Sequence, residues 1–373
     1  MLTFYLLLGI LYGLALLWLG SLWDNRSPKQ DEIVHSQEMV SILIPFRNEV
    51  KNLPQLFVSL LQLKYRPFEV VFVDDHSEDA GKALLHRLIE GNRDSDIAFV
   101  VLENQGKGKK EAIETAVHHA RGGLLITTDA DCNLPVNWIE LYLQAFDAPK
   151  TQLAAGPVIS QGADTFLSKF QQIEWASIWL MTQMGFGLGR PLMCSAANMA
   201  YRKAAFLNVG AYEGNKQHPS GDDEFLLKKI SQRYGGNSTV YLLDNLVWTQ
   251  AEPSWGKLYS QRARWASKWR LHASFYHKVL SFLPVLLQLL FLSSLILLSQ
   301  GWGGVMIFSW LWGLKLLLER RVLGKTLKHL NLELYSKDFF LTSLWHPFYV
   351  VMVGWKAIFG KIRWKGRNSS QFN

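Results

Sequence analysis

Residues Leu2 to Trp23 form an almost uninterrupted apolar run. At about 1.5 Å per residue a helix of this length crosses a hydrocarbon core of about 30 Å, so the run reads as a membrane helix. A cleavable signal peptide is the rival reading. The run lacks a basic n-region and a short apolar core with a small-residue cleavage site after it, which favours an uncleaved anchor. Three more apolar stretches lie at about Val279 to Leu298, Trp302 to Leu318 and Phe339 to Phe359. They explain why 373 residues that are 49% hydrophobic, with 15 Trp and 21 Phe, do not read as two ordinary soluble domains.

Basic clusters flank these stretches: Arg262, Arg264, Lys268 and Arg270; Arg320, Arg321, Lys325 and Lys328; Lys361, Arg363, Lys365 and Arg367. Lys and Arg beside membrane segments favour the cytoplasmic side, so the net charge of +8 reads as topology and not as nucleic-acid binding. Four full crossings would put both termini on one side. The basic tail and the central domain both ask to be cytoplasmic, whereas a single N-terminal crossing puts Met1 outside. One apolar segment is therefore expected to be re-entrant or interfacial, and the last, interrupted by His346 and Pro347, is the first candidate. The two cysteines, Cys132 and Cys194, make no disulfide framework and fit a reducing compartment.

From Val40 to Arg270 the composition is that of a water-soluble domain, after a polar linker over 24–39. Short apolar runs at Val40–Pro45, Glu69–Val73, Ile97–Leu102 and Leu124–Thr128 alternate with amphipathic stretches at Asn52–Leu63, Ala80–Ile89 and Lys110–Ala120. That alternation predicts an α/β fold of parallel strands with crossover helices. In such sheets ligands bind beyond the carboxyl ends of the strands, where this chain carries Asp74-Asp75 and Asp129-Ala130-Asp131.

Asp129 and Asp131, two apart after a strand, can present both carboxylates on one side. Oxygen ligands with open positions suit Mg²⁺ or Mn²⁺ bridging a diphosphate, and an Asx turn or solvated loop is the plain alternative. Asp75 suits a contact to a nucleobase or ribose, against helix capping around Ser77 and Asp79. The segment Asn104 to Lys110 is glycine-rich and basic ahead of a helix; it can offer amides and ammonium groups to phosphate, or be a solvated turn. Gly221-Asp222-Asp223-Glu224 precedes a helix, and one acid is enough for a cap. A further carboxylate there can act as a general base toward an acceptor hydroxyl. Gln261-Arg262-Ala263-Arg264-Trp265 lies on a basic, aromatic-rich helix. With Trp255 and Trp269 it reads as an interfacial belt, or as a site where Arg264 meets phosphate and Trp265 stacks on a sugar.

Taken in order, Val73-Asp74-Asp75, Asp129-Ala130-Asp131, Asp222-Asp223 with Phe225 and Leu226 behind, and Gln261-x-x-Arg264-Trp265 resemble the family 2 glycosyltransferases. The likeness is to the membrane-anchored branch with cellulose, chitin, hyaluronan and poly-N-acetylglucosamine synthases and ceramide glucosyltransferases. It implies a GT-A fold (Rossmann-like, mostly parallel sheet) flanked by transmembrane helices at both ends. The implied domains are an anchor at 1–23, a linker at 24–39, a GT-A domain at 40–270 and a C-terminal membrane region with a basic tail at 271–373. It also implies Mg²⁺ or Mn²⁺, a nucleotide-sugar donor, often UDP-linked, and inversion at the anomeric carbon.

By this resemblance Asp75 contacts the nucleobase, Asp129 and Asp131 are the diphosphate and metal pair, and Lys109 is similar to a lysine near the donor diphosphate. Asp223 is the implied base, and Gln261, Arg264 and Trp265 the acceptor-side motif at the membrane interface. Ala197 to Arg202 resembles the family's Gly-Ala-Asn segment lining the acceptor region, with Ala196 where Gly is usual, and Asp222 stands where Glu or Thr commonly precedes the base. The tail Trp364 to Arg367 is similar to endings in the ceramide glucosyltransferase branch, a weaker signal that favours a lipid acceptor, and the implied acceptor stays a lipid or a polysaccharide. The implied place is a bacterial inner membrane with the catalytic domain cytoplasmic, in cell-envelope polysaccharide or glycolipid synthesis. The alternative is a catalytically silent nucleotide-sugar-binding scaffold subunit of an envelope polysaccharide assembly. A transporter is disfavoured by the soluble centre and the lack of repeated membrane halves.

Overall fold

The computed structural model describes residues 1–24, 38–216, 218, 221–268, 275–360, 363–364 and 367–368. Most of the 24–39 linker, Trp269, Arg270 and most of the basic tail, including Lys361 and Lys365, lie outside the described residues. The chain folds as two compact units: residues 28–161 with 182–250, and residues 1–27 with 162–181 and 251–373.

The first of these units is built on a seven-stranded sheet. In chain order its leading elements are β1 (Val40–Phe46), α2 (Leu53–Leu61), β2 (Phe68–Asp74), α3 (Gly81–Glu90), β3 (Ala98–Glu103), α4 (Lys109–His119) and β4 (Leu124–Thr127), following α1 (Leu2–Asp24) of the other unit. β1 pairs in parallel with β2 and β4, and β2 with β3, as the alternation of apolar runs and amphipathic stretches predicts. Every residue of β1, β2 and β4 is buried, because helices cover the sheet and leave its middle strands no wet face. Leu43, Val71, Val73 and Leu125 pack with Ile113, Ala116 and Val117 of α4 in the core.

Beyond β4 the chain adds α5 (Trp138–Phe146), β5 (Leu153–Ala155), β6 (Val158–Gln161), α6 (Phe166–Gly187), β7 (Met199–Arg202), α7 (Lys203–Asn208), α8 (Asp222–Tyr234), β8 (Thr239–Tyr241) and β9 (Val247–Gln250). The sheet order is β3-β2-β1-β4-β7-β5-β8, with β7 antiparallel to both neighbours. β6 and β9 form a separate parallel pair.

The second unit holds α1, the start of α6, α9 (Trp255–Ala266), α10 (Phe275–Ser293), α11 (Gly301–His329) and α12 (Ser336–Phe359). Residues 162–181 and 251–268 cluster with the terminal helices. Among the described residues three helices are long and apolar enough to cross a membrane: Leu2–Trp23, Tyr276–Ser299 and Gly301–His329. The fourth apolar stretch forms α12, which carries Pro347 inside it and is not among the three. Gly13 and Gly20 of α1 lie against Leu318 and Val322 of α11, the small-residue contact that lets apolar helices approach closely. Across the same packing Tyr12 donates to Glu319 at 2.6 Å, and Lys315 pairs with Glu319 at 2.6 Å.

Candidate active site

The carboxyl ends of β2 and β4 gather the acids that the sequence marks. Asp74 ends β2 and accepts from the Ser77 amide at 2.9 Å and its hydroxyl at 2.5 Å, forming the turn into α3. Asp75 is buried, and its Oδ1 accepts from Asn104 Nδ2 and from the Gly108 amide, each at 2.8 Å. Gly108 has φ +97°, a left-handed backbone that a side chain would strain, and it opens α4. The glycine-rich segment is therefore not a loose turn: Asp75 and Asn104 tie it down, and the tie sets the first residue of α4, Lys109.

Lys109 Nζ donates to Asp129 Oδ1 at 2.6 Å and pairs with Asp222 Oδ2 at 3.2 Å. Burial works against the ammonium form, but the carboxylates of Asp129 and Asp222 outweigh it and hold Lys109 protonated well above its ordinary range. One cation thus joins the loop after β4 to the first turn of α8.

Asp131, two residues beyond Asp129, accepts from Thr249 Oγ1 of β9 at 3.1 Å. Burial, then the charges of Asp129 and Glu49, push its carboxyl up to about 6. Among the described residues no group of three or more His, Cys, Asp or Glu side chains is placed to hold a metal ion.

On the far side of Lys109, Gly221 with φ +88° turns the chain into α8, which begins at Asp222. Asp222 is buried and Asp223 half-buried. Asp223 receives the Glu224 amide at 2.7 Å and the Ala196 amide at 3.4 Å, while Glu224 pairs with Lys228 at 2.9 Å. The three acids have three different settings, which a simple cap would not give.

Two functional features were not legible beforehand. Thr249 reaches Asp131 from 118 positions away, and no sequence signal marks it. Asn198, in the segment resembling Gly-Ala-Asn, is fully buried and makes four bonds: it accepts from Trp138 Nε1 at 2.8 Å and Tyr142 OH at 2.6 Å, and donates to the carbonyls of Pro157 at 2.9 Å and Asn245 at 2.6 Å. Its amide is thus engaged in the core under the site.

A family model for glycosyl transferase family 2 matches residues 41–210, the span that carries the strands and the β4 acids just described. Residues 41–210 form a glycosyl transferase family 2 domain. A poly-beta-1,6-N-acetyl-D-glucosamine synthase of Staphylococcus aureus is 25% identical over 247 residues, 65% of this chain and 57% of that protein. The chain therefore spans less than two thirds of that relative's length. A solved structure of a mannosyltransferase of Pyrobaculum calidifontis, described as a complex with GDP-Man and Mn2+, superposes with TM-score 0.60 at 16% identity, over 96% of this chain and 97% of the other. At that identity the likeness is one of fold, and the fold is GT-A.

The remaining expected residues lie in the other unit. Gln261, Arg264 and Trp265 sit on α9, whose start Ser254 caps through the Lys257 amide at 3.4 Å. Gln261 Nε2 donates to Glu252 at 2.7 Å. Trp265 is half-buried beside Trp175, ring centroids 5.5 Å apart.

Proposed function

We propose that the chain transfers a sugar from a nucleotide-sugar donor, most simply a UDP-sugar, to a lipid or polysaccharide acceptor at the cytoplasmic face of a bacterial plasma membrane. The observation that carries this reading is the Lys109 bridge, which draws the Asp129 loop and the start of α8 to one place at the rim of the sheet. Donor and base are needed there together.

In this reading Asp75 and the backbone of the 104–108 loop border the nucleotide, and Lys109 lies by the diphosphate. Asp129 and Asp131 would hold Mg²⁺ or Mn²⁺. Hard carboxylate oxygens suit either ion, and a second cation beside Lys109 would offset the neighbouring charges of Asp129 and Glu49 that, after burial, raise Asp131. When bound, the ion neutralises charge developing on the departing diphosphate. Asp223 accepts the proton of the acceptor hydroxyl as that oxygen attacks the anomeric carbon. The bond from that carbon to the diphosphate oxygen breaks, its electron pair leaves with the nucleoside diphosphate, and the sugar inverts. Gln261, Arg264 and Trp265 serve the acceptor side, where Trp265 offers a ring to a sugar face.

Membranes containing the chain, incubated with radiolabelled UDP-N-acetylglucosamine, UDP-glucose or GDP-mannose, should place label in a lipid or polymer fraction from one donor. Chelation should stop this and Mn²⁺ or Mg²⁺ restore it. Donor binding without transfer of any label would instead support a silent scaffold subunit.

A further inference from the structure

Within the proposed acceptor-side motif the resemblance leaves Arg262 and Ala263 unassigned, and Arg262 is the charged one. Arg262 is buried on α9 with its guanidinium at the centre of a closed group of side chains. Its Nε donates to Glu174 Oε2 of α6 at 3.0 Å, and its Nη2 lies 2.8 Å from the same oxygen. Its Nη1 donates to Gln261 Oε1. The cation stacks 4.2 Å from the Trp265 ring and 5.2 Å from that of Trp175.

We propose that the Glu174–Arg262 pair is a positioning device that sets the orientation of Gln261 and Trp265, and so the acceptor's approach; the proposal rests on the function given above. Arg262 touches both of those side chains, while Glu174 fixes Arg262 from another helix. A second tie sets the same spacing: Gln171, one turn before Glu174 on α6, donates to the Glu252 carbonyl at 3.1 Å and accepts its amide at 2.9 Å. Glu252 in turn holds the other end of Gln261. Gln261 is therefore gripped by Arg262 at its oxygen and by Glu252 at its nitrogen.

Stability is a poor reason for this arrangement. The side chains of Glu174 and Arg262 are only 9% and 6% exposed, and an ion pair so placed gives up most of its Coulomb gain to desolvation; apolar residues of the same volume would often do as well. What the pair supplies is direction. A planar guanidinium can bond a carboxylate along one edge, an amide along another, and still present its face to two indoles; a Lys ammonium cannot. Arg262 is engaged by Glu174 and Gln261 within its own unit.

The test is steady-state transfer by the full chain in membranes, with the three nucleotide sugars named above as probes and rates expressed per folded molecule. Glu174→Gln and Arg262→Lys should each lower kcat by about tenfold to a hundredfold, the scale set by misplacing a binding group, with donor KM unchanged. Glu174→Asp, which keeps the charge, should recover part of the loss. Phe170→Leu loosens the packing of Phe170 with Leu258 and Tyr349 without touching the pair, and should keep its kcat. Glu174→Gln turning over at the wild-type rate, or Phe170→Leu losing kcat equally, overturns the positioning role alone. A wild type that transfers sugar from none of the three donors overturns the functional reading, and this inference with it.

Discussion

The ammonium of Lys109, the first residue of α4, lies 3.2 Å from the carboxylate of Asp222, the first residue of α8. Two helix N-termini, each preceded by a glycine in a left-handed conformation, meet through that pair. The same ammonium reaches Asp129, so three segments distant in sequence depend on one side chain.

Lys109→Met should therefore do more than remove a phosphate contact. It leaves the buried carboxylate of Asp222 without its cation, at a cost of about 1–3 kcal/mol once the partial exposure of the Asp129 partner is allowed for. We expect a lower urea midpoint, weaker nucleotide binding by titration calorimetry, and transfer reduced at least about tenfold. Unchanged binding and stability would show that the bridge is incidental.

Asn198→Ala removes the side-chain amide from Trp138 Nε1, Tyr142 OH and the Asn245 carbonyl in a buried site, while the Pro157 carbonyl keeps the Val247 amide. The expected loss is about 2–4 kcal/mol, measured by denaturant unfolding. A variant as stable as wild type would mean that water replaces the amide.

Glu69 lies at the opposite end of the sheet from the acids. Burial raises its carboxyl, but hydrogen bonds from Ser41 Oγ at 2.6 Å and from the Arg121 amide at 2.6 Å outweigh this and leave it below the ordinary glutamate value. The unfolded chain, at about 4.3, then binds the proton more readily than the folded one. The stabilisation is present above that value and disappears as pH falls through the lower, folded one. The stability difference between wild type and Glu69→Gln should shrink on acidification from about pH 5 to pH 3. A difference constant with pH contradicts the assignment.

Much of this was legible because it is local. The runs at Val40, Glu69 and Leu124 announce buried parallel strands, since both faces of such strands are covered and apolar residues dominate them; Ser41 and Glu69, polar exceptions in β1 and β2, bond each other. Asp129 and Asp131 follow directly, as a strand's end places them. The bridge from Lys109 to Asp222, and that from Thr249 to Asp131, were not legible, because nothing local in either partner encodes the other. The antiparallel insertion of β7 escaped for the same reason, since pairing order is fixed by packing across the whole sheet. Asn198 is the instructive case. Its residue type and its segment invite a binding role, while its burial and four bonds describe an internal support. Of the four apolar stretches that the sequence reads, three correspond among the described residues to helices long and apolar enough to cross a membrane.

The central claim is that Asp223 is the group that takes the acceptor's proton. Its most direct measurement is a paired one on Asp223→Asn: sugar transfer by membranes, and binding of UDP or GDP, whichever the wild type binds. Transfer by Asp223→Asn should be lower by about 10²–10⁴, the range of general-base contributions, with nucleotide affinity kept. Turnover of Asp223→Asn at the wild-type rate would contradict it.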